Sequence, residues 1–275
     1  MITTHLMGGL GNQLFQIFTT IAYALEHKTA FRFPNVYELS VGTTRYTYWT
    51  TFLKSMAKFL EAPDSLQYPI WNEPSFKYTK IPFYENIKLY GYFQSPKYFE
   101  NQAASIFKLL QIEQQREELR TNFNEIIGKE ERETISMHFR IGDYKAIQHC
   151  HPVMPISYYM NALSLFISSK KYTVLYFCED VDKNDVNPII QKLEKTFKNM
   201  QFIRCPPVFA DWQQMLLMSL CSHNIIANST FSWWGAYFNT NKEKIVCYPD
   251  TWFGPAIPHD VTDLFPEEWI RTTIL

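Results

Sequence analysis

The sequence has no excess of charge of either sign and no long apolar run. Its 275 residues carry 26 basic and 27 acidic side chains, which gives a formal net charge of −1. Because no basic stripe is present, we do not expect nucleic acid to be the main partner. No run of 18 apolar residues occurs, so we expect no membrane span, although peripheral association with a membrane surface stays open.

Cysteine is scarce, and its spacing is not that of a disulfide or zinc protein. The five cysteines are an odd number, and no two lie at CxxC spacing. This pattern favours reduced thiols over a disulfide framework. His149 and His151 flank Cys150, but no second His or Cys cluster lies at a useful spacing, so we expect no metal site. No secretory signal is visible, and we therefore expect a cytoplasmic protein.

Signatures of several enzyme classes are also missing. The sequence contains no GxSxG, Walker A, HExxH or protein-kinase motif, which disfavours hydrolase and phosphoryl-transfer chemistry. Aromatic residues, in contrast, are abundant, with 22 Phe, 17 Tyr and 7 Trp. Tyrosine and tryptophan beyond the needs of the core would suit a sugar-binding surface, because each has an apolar face and a polar tip.

The pattern of apolar segments predicts an α/β protein with two domains. A strand at 2–7, a glycine turn and an amphipathic helix at 12–26 open the chain, whereas 34–95 shows little periodicity. The charged run at 128–133 predicts an exposed connection, so we place the domains at 1–132 and 133–275. In the second domain, strands and helices alternate, which predicts a parallel sheet of the Rossmann type. The strands predicted there are Ile135–Phe139, Thr173–Cys178, Gln201–Arg204, Asn224–Ala227 and Lys244–Tyr248.

The first motif with chemical content is HFRIGDY at 138–144, which ends a predicted strand. Open α/β sheets bind ligands at the carboxyl ends of their strands. The guanidinium group of Arg140 is a charged fork that fits phosphate oxygens. Together with His138, Asp143 and Tyr144, it predicts a site for a phosphorylated ligand. The alternative is a simple salt bridge between Arg140 and Asp143.

The second motif, GGLGNQLFQ at 8–16, is a glycine turn before a helix. Glycines let the backbone approach a ligand, and a helix N-terminus favours an anion. Leu14 stands where the dinucleotide fingerprint GxGxxG requires its third glycine, so the motif does not match that fingerprint. A plain tight turn is the alternative, although it does not require the two amides of Asn12 and Gln13.

The third motif, NSTFSWWGA at 228–236, lies between a strand and a helix. The hydroxyls of Ser229, Thr230 and Ser232, with the free amides of the helix start, could hold a phosphate or diphosphate. N-capping by Ser229 or Thr230 is the alternative. Because one capping residue is sufficient, three hydroxyls favour the ligand site. The carboxylates at 179–182 also follow a strand, where they could bind a base, a sugar hydroxyl or a metal. We interpret them instead as caps of the next helix.

In this order, the three motifs resemble those of glycosyltransferase family 11, the alpha-1,2-fucosyltransferases, over the whole chain. The resemblance implies a GT-B-like α/β fold, in which two Rossmann-type domains face each other across a cleft. The domain at 1–132 would be the acceptor side, and the domain at 133–275 would bind the GDP-sugar. The implied reaction is the inverting transfer of L-fucose from GDP-L-fucose to the 2-hydroxyl of a terminal β-galactoside in a glycan, without a metal or other cofactor.

The resemblance also implies roles for individual residues. Arg140 would contact the donor diphosphate, and Asp143 is the first candidate for the general base, although it could instead orient Arg140 or His138. The other residues implied to bind GDP-fucose are His138, Asn12, Gln13, Asp211, Ser229, Thr230, Phe231 and Ser232. The central motif departs from the usual HxRRGDY, because Ile141 replaces its second arginine.

Three alternatives remain at the level of the sequence. The enzyme could be a fucosyltransferase with a different acceptor or linkage, since residues 34–95, where acceptor choice would lie, have no readable pattern. It could be a non-catalytic module that binds glycans or nucleotides. It could also be an oxidoreductase that modifies a nucleotide sugar, although the imperfect glycine fingerprint argues against this.

Overall fold

The computed structural model describes residues 1–39, 44–128 and 132–275. The chain forms two compact units. Unit 1 comprises Met1–Glu113 and His259–Pro266, and unit 2 comprises Gln114–Pro258 and Glu267–Leu275. In the described ranges, no helix is both long enough and apolar enough to cross a bilayer.

Unit 1 is built from short parallel strands and one long helix. Its elements are β1 (Ile2–Thr4), α1 (Leu10–Glu26), β2 (Phe33–Pro34), β3 (Glu38–Leu39), β4 (Arg45–Tyr46), β5 (Leu60–Glu61), β6 (Ile70–Asn72), β7 (Ile87–Tyr90) and α2 (Ala103–Leu110). The parallel sheet has the order β1-β7-β6, and β2 pairs in parallel with β5. A parallel bridge between Ile2 and Phe31 brings β2 alongside β1. The parallel strands therefore follow the order β6-β7-β1-β2-β5.

Helix α1 covers this sheet because its apolar residues recur every three or four positions. Leu14, Phe15, Phe18 and Ile21 are completely buried. The ring centroids of Phe15 and Phe18 lie 5.9 and 5.3 Å from that of Phe99. The helix predicted from periodicity at 12–26 is thus observed, beginning two residues earlier at Leu10.

Unit 2 contains a six-stranded parallel sheet with helices in its connections. The remaining elements are α3 (Ile112–Glu118), which crosses from unit 1 into unit 2, α4 (Arg120–Ile127), β8 (Glu133–His138), α5 (Ile156–Leu163), β9 (Tyr172–Phe177), α6 (Lys183–Thr196), β10 (Met200–Arg204), α7 (Asp211–Leu220), β11 (His223–Ile225), α8 (Thr230–Tyr237), β12 (Val246–Pro249) and β13 (Ile270–Thr272). The sheet order is β10-β9-β8-β11-β12-β13. The chain progresses outward from β8 in one direction and outward from β11 in the other. This is the doubly wound order, and its switch point lies between β8 and β11.

The α/β class and the parallel Rossmann-type sheet of the second half are therefore confirmed. The edge strand β13 was not predicted, since three residues are too few to show a period. The helical residues between 103 and 127 are divided into α2, α3 and α4. Gln111 ends α2 in the left-handed conformation, with φ at 57°, and this breaks the helix.

The first boundary between the units lies between Glu113 and Gln114. The sequence predicts the domain boundary between residues 132 and 133. Arg116 explains the difference, because its guanidinium is buried against α7. Its Nε donates to Ser219 Oγ at 3.0 Å, and a terminal nitrogen donates to the carbonyl of Ser219 at 3.1 Å. Helix α3 is thereby anchored to unit 2. Within the charged connection predicted at 128–133, residues 129–131 lie outside the described residues.

Candidate functional site

Two of the predicted motifs meet at the switch point of the unit 2 sheet. Strands β8 and β11 pair directly, so the loops that follow them begin side by side. The ring centroids of His138 and Phe231 are 5.5 Å apart. The hydroxyl of Tyr144 donates to the carbonyl of Asn228 at 3.2 Å. Segments about ninety residues apart in the sequence thus form one surface, at the position where doubly wound sheets bind ligands.

Arg140 is the charged centre of this surface. One terminal nitrogen of its guanidinium donates to Glu179, and the other donates to Asp143. The Arg140 side chain is 20% exposed, whereas those of Asp143 and Glu179 are 51% and 55% exposed. Burial opposes the charge, but the nearby carboxylate of Asp143 favours it, and the net effect is a raised pKa for Arg140. The guanidinium therefore stays charged, and two half-exposed carboxylates orient it.

His138 is a neutral group beside this cation. It is 7% exposed, and its Nδ1 atom has no hydrogen-bond partner among the described residues. Burial, with a further contribution from the charge of Arg140, lowers the pKa of His138 to about 3. The imidazole can therefore offer a hydrogen bond to a ligand near neutral pH, but it cannot supply a positive charge.

The HFRIGDY loop is held in place by the start of α6. Asp182 is 2% exposed, and its carboxylate accepts a hydrogen bond from the backbone N–H of Gly142 at 2.8 Å. Lys145 lies 3.6 Å from the same carboxylate and 2.6 Å from that of Asp185. Gly142 has φ at +29°, a conformation that side chains disfavour. Asp182 therefore fixes the turn between Arg140 and Asp143.

Aromatic stacking and backbone hydrogen bonds join three loops at this edge. The Arg140 guanidinium lies 4.9 Å from the Tyr144 ring centroid, and Tyr144 stacks on His151 with centroids 4.9 Å apart. His151 in turn lies 5.6 Å from Phe253. The side-chain amide of Asn228 donates to the carbonyls of Pro152 and Trp252, at 3.0 and 3.1 Å. The loops after β8, β11 and β12 are thus bound to one another.

The predicted hydroxyl residues lie at the start of α8, where they also serve the helix. Ser229 is the N-cap, and its hydroxyl accepts a bond from the backbone N–H of Phe231 at 3.4 Å. The Ser232 hydroxyl donates to the carbonyl of Ser229 at 3.3 Å. Ser229 and Ser232 are buried, while Thr230 and Phe231 are half-buried. The capping interpretation therefore accounts for Ser229, and Thr230 and Phe231 present the more accessible side chains of this motif.

Asn12 and Gln13 belong to unit 1 and differ in their surroundings. Asn12 is half-buried and accepts a hydrogen bond from Gln94 at 3.1 Å. Gln13 is completely buried, and its amide donates to the carbonyls of Gly8 and Tyr46, both at 3.0 Å. Gly8 has φ at +77°, a conformation that side chains disfavour, so the turn favours glycine at this position. Gln13 thus braces the turn from inside, and Asn12 is the more accessible amide.

The remaining predicted residue, Asp211, begins α7, which follows the edge strand β10. Its carboxylate accepts a hydrogen bond from the backbone N–H of Trp212 at 2.7 Å. The sequence predicts that Glu179 and Asp182 cap the next helix. In the structure, Glu179 accepts a hydrogen bond from Arg140, and Asp182 accepts one from the backbone N–H of Gly142. Both residues follow β9, which pairs with β8. Their position after a strand was the signal that could have identified them as partners of the loop after β8.

The sequence model of glycosyl transferase family 11 matches residues 1–273 of the chain. The chain belongs to glycosyl transferase family 11. The matched residues include all three motifs and both units.

Two proteins from Escherichia coli are similar to this chain. The O-antigen biosynthesis glycosyltransferase WbnK is 32% identical over 198 residues, which cover 66% of this chain and 60% of WbnK. The match thus spans less than two thirds of that relative. An alpha-1,2-colitosyltransferase is 24% identical over 299 aligned positions and covers 98% of both chains. Among solved structures, a glycosyl transferase family 9 protein from Veillonella parvula has a TM-score of 0.39 and 12% identity, over 58% of this chain and 40% of that one.

Proposed function

We propose that this family 11 enzyme transfers L-fucose from GDP-L-fucose to the 2-hydroxyl of a terminal β-galactoside in a glycan, with inversion at the anomeric carbon. The observation that carries the proposal is the contact between His138 and Phe231 at the start of α8, at the switch point of a parallel sheet, with Arg140 two residues further along the same loop. A cation and a helix N-terminus at this position suit the diphosphate of a nucleotide sugar. In this proposal unit 2 binds the donor and unit 1 the acceptor.

The proposed chemistry begins with the departure of GDP. Cleavage of the fucose–phosphate bond places negative charge on the diphosphate and positive charge on the sugar ring. The guanidinium of Arg140, oriented by Glu179 and Asp143, would stabilise the leaving diphosphate together with donors at the start of α8. These groups would fulfil this role without a metal ion. Neutral His138 would lie beside the nucleotide and accept or donate a hydrogen bond.

The acceptor hydroxyl would attack the anomeric carbon from the face opposite the diphosphate. A carboxylate that receives its proton would lower the barrier. Asp143 is our proposed base, because it is half-exposed at the end of the HFRIGDY loop. Its bond to Arg140 also gives it an orienting role. The two roles differ in their kinetic consequences, because loss of a general base lowers kcat while loss of an orienting contact has a smaller effect.

A second donor deserves the same test, because a relative that aligns over 98% of this chain is an alpha-1,2-colitosyltransferase. Colitose differs from L-fucose in lacking the 3-hydroxyl. Donor choice between the two would depend on whether the site binds that hydroxyl. A polar group of the protein that pairs with the 3-hydroxyl of fucose would be left unpaired by colitose, and this would disfavour colitose.

The test is product analysis with the purified chain, lactose, and either GDP-fucose or GDP-colitose. We expect a trisaccharide whose NMR spectrum shows an α-linked residue on the 2-position of galactose. A product from GDP-colitose alone would assign the second donor. A product with another linkage, or no product from either donor, would contradict the proposal. Binding of GDP without any turnover would favour a non-catalytic module.

A further inference from the structure

Two adjacent tyrosines of α5 donate hydrogen bonds to the carboxyl end of the unit 2 sheet. Tyr158 and Tyr159 are buried, with 0% and 1% of their surface exposed. The hydroxyl of Tyr159 donates to the carbonyl of His138, the last residue of β8, at 3.2 Å. Burial raises the pKa of both tyrosines, so each hydroxyl keeps its proton and acts as a donor.

A proline in β12 explains why a tyrosine is needed at the end of β11. The backbone N–H of Ile226 donates to the carbonyl of Cys247 at 2.9 Å. In a parallel ladder, the next bond runs back from the N–H of residue 249 to the carbonyl of Ile226. Residue 249 is Pro249, and proline has no backbone N–H. The ladder therefore leaves the carbonyl of Ile226 without its donor.

Tyr158 takes the place of this missing donor. Its hydroxyl donates to the carbonyl of Ile226 at 2.5 Å and lies 3.1 Å from the carbonyl of Cys247. The carbonyl of Cys247 already accepts the N–H of Ile226, so the carbonyl of Ile226 is the one that depends on the tyrosine. Because buried carbonyl groups are nearly always paired, this bond fixes the end of β11 against the end of β12.

Both bonded carbonyls lie immediately before the loops that form the candidate site. Ile226 is three residues before Ser229, the N-cap of α8. His138 is two residues before Arg140. So few residues separate each bond from the site that a shift of the strand end would move the site residue with it. A displacement of about 1 Å can reduce the rate of an enzyme about 10²-fold.

We propose that Tyr158 and Tyr159 are positioning residues of the donor site. Tyr158 fixes the segment that leads into α8, and Tyr159 fixes the segment that carries Arg140. Because both hydroxyls are buried, they act through backbone carbonyls and not by contact with the substrate. The inference rests on the proposed function, in which these two loops bind the diphosphate of GDP-fucose.

The first variants are Tyr158→Phe and Tyr159→Phe, which remove one hydroxyl each and keep the ring. Each should lower the melting temperature by about 2–6 °C. Each should also lower kcat/KM for GDP-fucose at least about tenfold, because the loop beside the lost bond is no longer held in place. GDP affinity, measured by calorimetry, should fall in the same variants.

Tyr23→Phe is the matched control for the loss of stability. Tyr23 is a buried tyrosine of unit 1, and its hydroxyl donates to the carbonyl of Pro82 at 2.8 Å. Its removal should lower the melting temperature by a similar amount, while kcat/KM for GDP-fucose stays within about twofold of the parent.

The second test restores the missing backbone donor. Pro249→Ala provides an N–H at the position where the ladder would direct it to the carbonyl of Ile226. Combined with Tyr158→Phe, it should bring kcat/KM to within about threefold of Pro249→Ala alone. Combined with Tyr159→Phe, it should recover no activity, because the bond lost in that variant is at the end of β8.

The outcomes separate the positioning role from the proposed function. If the parent transfers fucose and the two phenylalanine variants lose no more activity than Tyr23→Phe, the positioning role is wrong and the proposed function stands. An equal loss in Tyr158→Phe with and without Pro249→Ala would overturn the role of Tyr158. If the parent binds GDP but transfers no fucose, the proposed function fails. GDP affinity then decides the positioning role, since Tyr158→Phe must weaken it and Pro249→Ala must restore it. A parent that binds no GDP overturns both.

Discussion

Replacing Arg140 by alanine should remove most of the transferase activity while leaving the fold intact. Charge-assisted hydrogen bonds are worth about 1.5–3 kcal/mol each, so two bonds from the guanidinium to the leaving diphosphate contribute about 3–6 kcal/mol. The expected loss in kcat/KM is therefore about 10²- to 10⁴-fold. Asp143 and Glu179, the present partners of Arg140, are half-exposed and can be hydrated in the variant. The free energy of unfolding should consequently change by about 1 kcal/mol or less.

The assay is the initial rate of GDP release with GDP-fucose and lactose, with thermal melting as the stability check. Arg140→Lys should fall between the parent and Arg140→Ala, because lysine keeps the charge but loses the planar fork. Arg204→Ala is the matched control. Like Arg140, Arg204 lies at the carboxyl end of a strand and is paired with a carboxylate, that of Asp180 at 3.1 Å, with its side chain 23% exposed. Unlike Arg140, it belongs to the edge strand β10. If Arg140→Ala stays within tenfold of the parent, the proposed donor site is wrong.

Three further predictions concern the same loop. His138 has its pKa lowered to about 3 from 6.5, so the folded state binds fewer protons than the unfolded state between these values. The unfolded chain takes up a proton at His138 that the folded chain excludes. The free energy of unfolding should therefore be about 2 kcal/mol lower at pH 5 than above pH 6.5. Urea titrations at pH 7 and 5 should show this loss in the parent and a smaller one in His138→Gln, and equal losses would contradict it. Asp143→Asn should lower kcat at least about 100-fold with GDP affinity retained if Asp143 is the base; a loss below tenfold would leave it an orienting role. Asp182→Ala leaves the Gly142 N–H without its acceptor and should reduce kcat/KM at least about tenfold. Asp182→Asn should recover most of this activity and Asp185→Asn should lose little, whereas equal losses in all three would refute the positioning role.

The sequence was most informative where a short motif coincides with the end of a strand. HFRIGDY and NSTFSWWGA were visible because each follows an apolar segment, and the order of strands then brings them together. Their proximity could not be read from spacing alone, since it depends on the reversal of sheet order between β8 and β11. Glu179 and Asp182 were recognised as acidic residues after a strand. Which partner each would take depends on the neighbouring strand β8, so they were assigned to helix capping.

In unit 1, the pattern of apolar residues predicts less of the structure than it does in unit 2. Strands β2 to β5 contain only two residues each, which is too short for a periodic signal. The adjacent amides of Asn12 and Gln13 look equivalent in the sequence. Only the position of the carbonyls of Gly8 and Tyr46 turns Gln13 inward.

In the proposed function, the chain transfers fucose from GDP-fucose and its donor site needs no metal ion. The most direct test is the release of GDP from GDP-fucose by the purified protein, measured with and without lactose in the presence of EDTA. We expect release that depends on lactose and is unaffected by the chelator. Release that requires an added divalent cation would contradict the metal-free site, and no turnover of GDP-fucose under any of these conditions would contradict the assignment of the donor.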